Sequence, residues 1–415
     1  MMTTPAPNPS PRKVLIINQA FYPDLVATAQ HMTDWADHLA QRGHSVTVIA
    51  SRSLYGQSKA TLPRRETRGT IAIRRVGGNF FAKGRLLTRL VDFAFFHFHA
   101  LCTTLFLLPR QDVVVCLTSP PFIGIAGRLA KLFRRSATVQ YEMDVYPDIA
   151  IALGALKPGT IPARLLDGLH RHLLRHADHI VVLGRCMRQV IAAKGIPESR
   201  IALVTPWADA DEIDPVPRAE NPFRNTHNLA DKFVVMYSGN LGLGHDVTTI
   251  CQAMQQLASD PRIAFVFIGA GKRMSEVQSF IQQHNLPSPL FLEYQPRAAL
   301  SQTLSDADAH LITQAPGTAG LIVPSKFYGI LAAGRPALYV GPENTEIALA
   351  IREHKLGSVI PLGDSAALVQ AIQGLLDQAT GAENFTVHAR AVLRNHFGRE
   401  ACCEKLTALI ESLPA

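Results

Sequence analysis

Two short stretches hold side chains whose types and spacing could do chemistry. Residues 318–338, TAGLIVPSKFYGILAAGRPAL, run from a glycine-containing loop through Pro324, Ser325 and Lys326 into a short apolar segment. Gly320, Leu321, Ile322 and Val323 can offer backbone N–H groups to an anion. Ser325 suits a helix start after Pro324, and Lys326 then falls in the first turn. A cation there opposes the helix macrodipole, which makes sense if an anion sits between the two; the bland alternative is a lysine that points to water. The stretch contains no acidic residue. The second stretch, EMDVYPD over residues 142–148, carries three carboxylates: Glu142, Asp144 and Asp148. Carboxylates grouped at a strand end serve acid–base or electrostatic work. They also serve caps and turns, a role that fits Asp148 better than Asp144.

Other loops could contribute. SGNLGLGH, residues 238–245, follows an apolar strand pattern and contains Ser238, Gly239, Asn240, Gly242 and Gly244. Such a loop brings N–H groups and a helix start to a phosphate, or is only a tight strand-to-helix turn. AGKRM supplies Lys272 and Arg273, and YQP supplies Tyr294 and Gln295, an aromatic beside an amide that could hold a flat base. The loop over 18–30 contains Ala27, Thr28 and Ala29, small enough for close approach. Two Asp-Ala-Asp sequences, at 209–211 and 306–308, imitate a metal-binding DxD. One lies in a linker and the other at the wrong end of a strand, so no metal is expected at either.

These loops need elements to position them. Short β-branched runs predict strands over 13–17, 45–49, 71–75, 112–117, 137–141 and 179–182, then over 233–237, 263–268, 290–293, 309–311 and 336–340. Helical periods fall at 29–41 and 161–175, then at 246–257, 273–284, 298–304, 325–333, 384–396 and 400–412. Alternation of this kind means parallel sheets covered on both faces. The expected class is α/β, with two Rossmann-like domains facing across a cleft, as 415 residues allow. The predicted division is a disordered tail over 1–12, an N-terminal domain over 13–210 and a linker over 211–225. A C-terminal domain follows over 226–395, and a helix over 396–415 returns towards the first domain. Ligands of such sheets bind beyond the carboxyl ends of the strands, so the cleft is the expected site.

Composition narrows the partners. The 41 Lys and Arg against 33 Asp and Glu give a net charge of +8, which suits anionic ligands. The lack of a basic stripe with interleaved aromatics argues against nucleic acid. Six cysteines form no CxxC pair and read as reduced thiols of a cytosolic protein. The apolar segment Leu90–Leu108 is about as long as a minimal spanning helix, but it contains Asp92, His97 and His99 and follows Lys83, Arg85 and Arg89. A span would place a charge and two imidazoles in lipid. Two readings remain: a helix buried in the domain, or an interfacial helix whose basic flank touches anionic lipid.

In chain order, FYPD…ATAQ, RGHSVTVI, SPPFIGIAGRL, MDVYPDIAIALG, YSGNLGLGHD, FVFIGAGKR, YQP, SDADAHL and PSKFYGILAAGRP resemble the GT-B-fold, family-4 retaining glycosyltransferases. The match is best with the WbuB-like and WcaI-like bacterial surface-polysaccharide subgroup and covers nearly the whole chain. The resemblance implies a nucleotide-diphosphate sugar in the C-terminal domain, UDP-linked ahead of GDP-linked, and a lipid-linked saccharide acceptor in the N-terminal domain. It implies transfer with retention, no metal or other cofactor, and a cytoplasmic protein at the inner face of the membrane. Donor contacts would come from Ser238, Gly239, Asn240, Gly242, Gly244, Lys272, Tyr294, Gln295, Gly320, Leu321, Ile322, Val323, Ser325, Lys326 and Gly329. Ala27, Thr28 and Tyr146 would lie on the acceptor side. Asp144 and Lys326 would be catalytic, with Lys326 neutralising the departing diphosphate. The chain also departs from the family pattern. The E-x7-E positions fall at Leu321 and Gly329, the Arg and Lys after the glycine loop fall at Asn240 and His245, and the His of the catalytic region falls at Met143. The changes at Gly329, Asn240 and His245 keep open a non-catalytic nucleotide-sugar-binding partner protein; the other alternative is a GT-B epimerase or hydrolase acting on the nucleotide sugar alone, against which the missing acid pair argues.

Overall fold

The computed structural model describes residues 10–54, 61–77, 86–378 and 382–414. Strands β1 (Lys13–Ile17), β2 (Ser45–Ser51), β3 (Arg65–Arg68), β4 (Ile71–Val76), β5 (Val113–Cys116), β6 (Ala137–Glu142), β7 (His179–Val182) and β8 (Ile201–Leu203) form one sheet, ordered β3-β4-β2-β1-β5-β6-β7-β8. Only β3 runs antiparallel to its neighbour. The central strands are continuous apolar runs such as VVVC in β5, buried at every position, as a sheet covered on both faces requires. The edge strand β3 is RETR. Its charges blunt pairing with another chain and hide it from any hydrophobic pattern.

The second sheet holds β9 (Phe233–Ser238), β10 (Ile263–Ile268), β11 (Leu290–Leu292), β12 (Ala309–Thr313), β13 (Ala337–Val340) and β14 (Gly357–Ile360). It is all parallel, ordered β11-β10-β9-β12-β13-β14. Two α/β domains, one on a wholly parallel sheet and one on a sheet parallel but for β3, match the expected pair of Rossmann-like domains. The short edges β8 and β14 join β3 as the strands that sequence patterning misses.

The chain returns to its first domain at the end. Helix Ala27–Gln41 turns Ala29, Met32, Trp35, Ala36 and Leu39 inward, an amphipathic spacing, and packs against helix Arg399–Ser412. Trp35 Nε1 donates to Thr407 Oγ1 at 3.2 Å, and Arg42 forks onto Glu404 at 3.1 and 3.0 Å. Arg12, assigned by sequence to a disordered tail, instead donates to the carbonyls of Glu411 and Leu413 at 2.8 and 2.5 Å; residues 1–9 of that tail lie outside the described residues. The predicted linker over 211–225 is also too long. Arg224 within it is 2% exposed and pairs with Asp306 at 3.2 Å and Asp308 at 2.7 Å, so this end of the segment packs into the second domain.

The apolar segment before β5 forms helix Leu86–Cys102 and a π-helical turn over Thr103–Leu107. Phe96, Ala100 and Leu105 anchor it to the core, whereas Phe98, Phe106 and Leu107 are 63%, 76% and 74% exposed. Leu90, Val91 and Phe95 are exposed as well. The buried-helix reading therefore fails. Hydropathy reports apolarity, not what covers it. Of the expected basic flank, Lys83, Arg85 and the Arg89 side chain lie outside the described residues.

Candidate active site

Loops from the carboxyl ends of the two sheets meet. On the loop after β12, the Leu321 carbonyl accepts from Val145 N–H at 3.0 Å, just past β6. The Leu321 side chain is 7% exposed and joins Met143, Val145 and Ile149 in the first domain's core. Gly320, at φ +72°, lies so close to the helix Arg185–Ala193 that a Cβ would come within 2.8 Å of the Cys186 carbonyl. Ile322 and Val323 are half-buried against the same core. Gly320–Val323, expected to offer N–H groups to an anion, is thus also an interdomain wedge. Leu321 N–H is used on the Thr318 carbonyl at 3.0 Å. The wedge explains Leu321 itself, since a carboxylate there would be buried in the apolar core of the other domain. A second tie lies nearby. Glu346 accepts from Arg185 N–H at 2.5 Å and from Arg185 Nε at 3.0 Å, so it caps a first-domain helix from the second domain.

Lys326 follows the wedge. It opens helix Lys326–Ala332, and Ser325 before it stands at the N-cap, as the sequence suggests, but makes no side-chain capping bond. Lys326 Nζ is enclosed and has no hydrogen-bond partner among the described residues. It sits 3.6 Å from the centroid of the Tyr237 ring and beside Gly239. Gly239 has φ +129°, and a Cβ there would come within 3.3 Å of Nζ. Only glycine combines that backbone with that approach. Tyr237 is held in turn by donating its O–H to the Asn240 carbonyl at 2.9 Å. Burial lowers the Lys326 ammonium pKa to about 7. His245 also meets Tyr237, edge-on at 6.0 Å. Burial first, and then the nearby Lys326 charge, push its pKa down to about 3. His245 is therefore neutral and supplies no second positive charge.

The glycine loop is only partly free. Gly239 N–H donates to Ile268 at 2.8 Å and Leu241 N–H to Ala270 at 2.7 Å. The N–H groups of Asn240, Gly242, Leu243 and Gly244 meet no protein acceptor among the described residues. Lys272 is exposed. Its neighbour Arg273 is the better-placed cation: its N–H donates to the Leu241 carbonyl at 3.0 Å, its Nε is enclosed without a partner, and its charge reaches His245. Sequence assigned the role to Lys272 because both residues read as first-turn cations; only the loop's return past Leu241 separates them. Tyr294 is 56% exposed beside Gly269, where a Cβ would touch its ring edge at 3.2 Å. Gln295 turns back to donate to the Glu293 carbonyl at 2.9 Å. Gly329 has ordinary space, with Leu304 Cδ1 3.8 Å from a would-be Cβ. Ser238 ends β9 half-buried.

Across the interface, Thr118 Oγ1 accepts from the N–H groups of Met143 and Asp144 at 3.2 and 3.1 Å, fixing the turn after β6. Burial and the neighbouring Glu142 raise the Asp144 carboxyl to about 6. Glu142 is fully buried and engaged by His170 Nε2 at 3.2 Å. Asp148 is bound by Lys194 at 2.7 Å. Of the three carboxylates, Asp144 alone has no ion pair among the described residues. Ala27 and Thr28 form the half-buried first turn of helix Ala27–Gln41, and Tyr146 is half-buried beside Asp144. Both Asp-Ala-Asp sequences are bound by arginines: Arg224 on Asp306 and Asp308, Arg399 on Asp209 at 2.7 Å and Arg394 on Asp211 at 3.0 Å.

Residues 27–207 match the glycosyl transferase 4-like domain. A probable glycosyltransferase of Pseudomonas aeruginosa, WbjE, is 29% identical over 304 residues, 73% of this chain and 75% of its own. The putative colanic acid biosynthesis glycosyl transferase WcaI of Escherichia coli is 25% identical over 350 residues, covering 81% and 84%. Among solved structures, Anabaena HepE in complex with UDP-glucose superposes with a TM-score of 0.72 at 15% identity, over 97% of this chain and 100% of its own.

Proposed function

The chain is a glycosyltransferase of the GT-B type with a glycosyl transferase 4-like domain, and from that premise we propose that it transfers a sugar, with retention and without a metal ion, from a nucleotide-diphosphate sugar to a lipid-linked saccharide in bacterial surface-polysaccharide synthesis. One observation carries the reading. The chain that presents the enclosed Lys326 is joined to the loop of Asp144 by the Leu321–Val145 hydrogen bond. A cation and a carboxylate with few other commitments thus belong to one cleft, on opposite domains.

The division of labour follows from charge. As the sugar departs, negative charge grows on the diphosphate, and preorganised positive groups stabilise that state more than the ground state. Lys326, Arg273 and the free N–H groups of the glycine loop are suited to this. Asp144 is suited to accept the acceptor hydroxyl's proton or to face the positive charge on the reacting carbon. Tyr294 offers a ring to the base. UDP-linked donors are the first choice, in keeping with the HepE complex named above.

Calorimetric titration of UDP and GDP into wild type and Lys326→Ala, in chelator and then with magnesium, tests the donor site. One nucleotide should bind wild type in chelator and bind the variant at least tenfold more weakly. Equal binding to both proteins would overturn the assignment of Lys326, and a requirement for magnesium would overturn metal independence. Product anomeric configuration by NMR tests retention.

The exposed residues Phe98, Phe106 and Leu107 support peripheral docking on the inner membrane face. Leu132 and Phe133 at the end of the adjoining helix Gly124–Arg134 are also exposed, and Arg110 and Arg135 lie beside them. An apolar face with basic neighbours binds anionic bilayers at the interface. Vesicles with anionic lipid should co-sediment wild type at low salt and lose the Phe98→Glu/Phe106→Glu protein; equal recovery of both would exclude this face.

A further inference from the structure

The lysine at the centre of the proposed donor site has no counter-charge. Its Nζ is enclosed and makes no hydrogen bond, lying 3.6 Å from the Tyr237 ring centroid and against Gly239. The titratable and charged groups around it are Tyr237 on β9, His245 and Arg273 from the loops after β9 and β10, His310 on β12, and Tyr294 beyond β11. None is a carboxylate. The two positions where the resembling family carries acids hold Leu321, spent on the other domain's core, and Gly329. Apart from the Tyr237 ring face, an amine so placed meets nothing that favours its charge until an anion arrives.

We infer that a nucleoside diphosphate supplies the missing anion and that its binding takes up one proton from solvent at Lys326 Nζ. The inference rests on the donor-site reading above. In the empty site, burial holds this group near 7 instead of 10.5; a diphosphate against it favours the ammonium and raises it again. The balance is simple: neutral amine, solvent proton and diphosphate give an ammonium–diphosphate pair, with no bond made or broken on the nucleotide. The sign follows. The folded, bound form has the higher pKa, so affinity is full below about pH 7 and falls by up to tenfold per pH unit above it, until the bound pKa is reached. The ammonium formed on binding then meets a larger charge as the sugar leaves.

The test is calorimetry of UDP and GDP binding at pH 8 in two buffers of different ionisation enthalpy. At this pH the terminal phosphate, whose second pKa is about 6, is already ionised and brings no proton of its own. Wild type should take up roughly 0.9 proton per nucleotide bound, the fraction that a pKa of about 7 leaves unprotonated at pH 8. Lys326→Met should bind more weakly with no uptake. Binding to wild type without uptake overturns the inference and leaves the donor site standing. No binding of either nucleotide, or equal binding by Lys326→Met, overturns the donor site and the inference with it. The proton count is read on wild type, so it stands whether or not the variant folds.

Discussion

Replacing Lys326 by methionine should stabilise the protein while weakening its nucleotide site. The lysine's pKa is 10.5 when unfolded and about 7 when folded. Each unit of difference is about 1.36 kcal/mol, so holding this amine in the folded site costs roughly 4 kcal/mol at pH 7. The sign is set by the lowered folded value. The cost is full below the folded pKa and vanishes as pH rises towards the unfolded one. At pH 9 it has fallen to about 2 kcal/mol. Methionine has similar length, no charge and a polarisable end that suits the Tyr237 ring. It forgoes the cation–π contact, worth about 1 kcal/mol. At pH 9 the folded amine is neutral and has no such contact to lose, so the net gain should be about 3 kcal/mol at pH 7 and about 2 at pH 9. Scanning calorimetry of both proteins at both pH values reads this out as a rise of several degrees in the second domain's transition, larger at pH 7. A variant that melts lower than wild type, or a gain that does not shrink at pH 9, would refute the claim that this lysine is strained by burial.

Asp144→Asn should lower turnover by roughly 10²–10⁴ with nucleotide affinity within twofold. Because the carboxyl is raised to about 6, wild-type turnover should fall as pH drops through 6, whereas the asparagine variant's residual rate should be flat there. Leu321→Glu, which restores an acid at the family position, should destabilise by roughly 3 kcal/mol or more, because it buries an unpaired charge in the first domain's core; chemical denaturation would show it, and an unchanged midpoint would contradict the wedge. Glu346→Gln should cost about 1–2 kcal/mol through the weakened cap on Arg185 N–H. Hydrogen exchange should report it as faster exchange in the first turn of Arg185–Ala193, with the sheet amides unmoved.

The fold was legible where burial leaves its mark on composition. Interior strands such as β1, β7 and β10 are apolar on both faces, and their limits could be read from the sequence alone. Edge strands such as RETR are not, because half their surroundings are solvent. The same reasoning separates the site residues. Lys326 stood out because it breaks a local rule, a cation in a first turn. Tyr237 and the wedge role of Leu321 left no local trace, and Arg273 could not be told from Lys272. Tyr237 ends an ordinary apolar strand, Arg273 follows an equally basic lysine, and Leu321 has an apolar side chain in a loop. What gives each its role is the return of a second loop or the other domain. The apolar helix before β5 marks the limit of hydropathy, which cannot tell a face packed on protein from one left open.

The departures at Leu321, Gly329 and His245 are best understood as one change. In a water-poor site, charges are tolerable only when balanced. With no acid at 321 or 329, Lys326 has no standing counter-charge among the described residues, so a further cation beside it would raise its cost. A lysine at 245, near enough for the Lys326 charge to act on it, would repel that amine in a buried site and push both towards the neutral form. A histidine there adds no charge, because burial and Lys326 already keep it neutral. The site thus keeps one amine, enclosed and unpaired, where a diphosphate would bring the charge. Losing the acids and losing the second base are the two halves of that balance, and neither would be stable without the other.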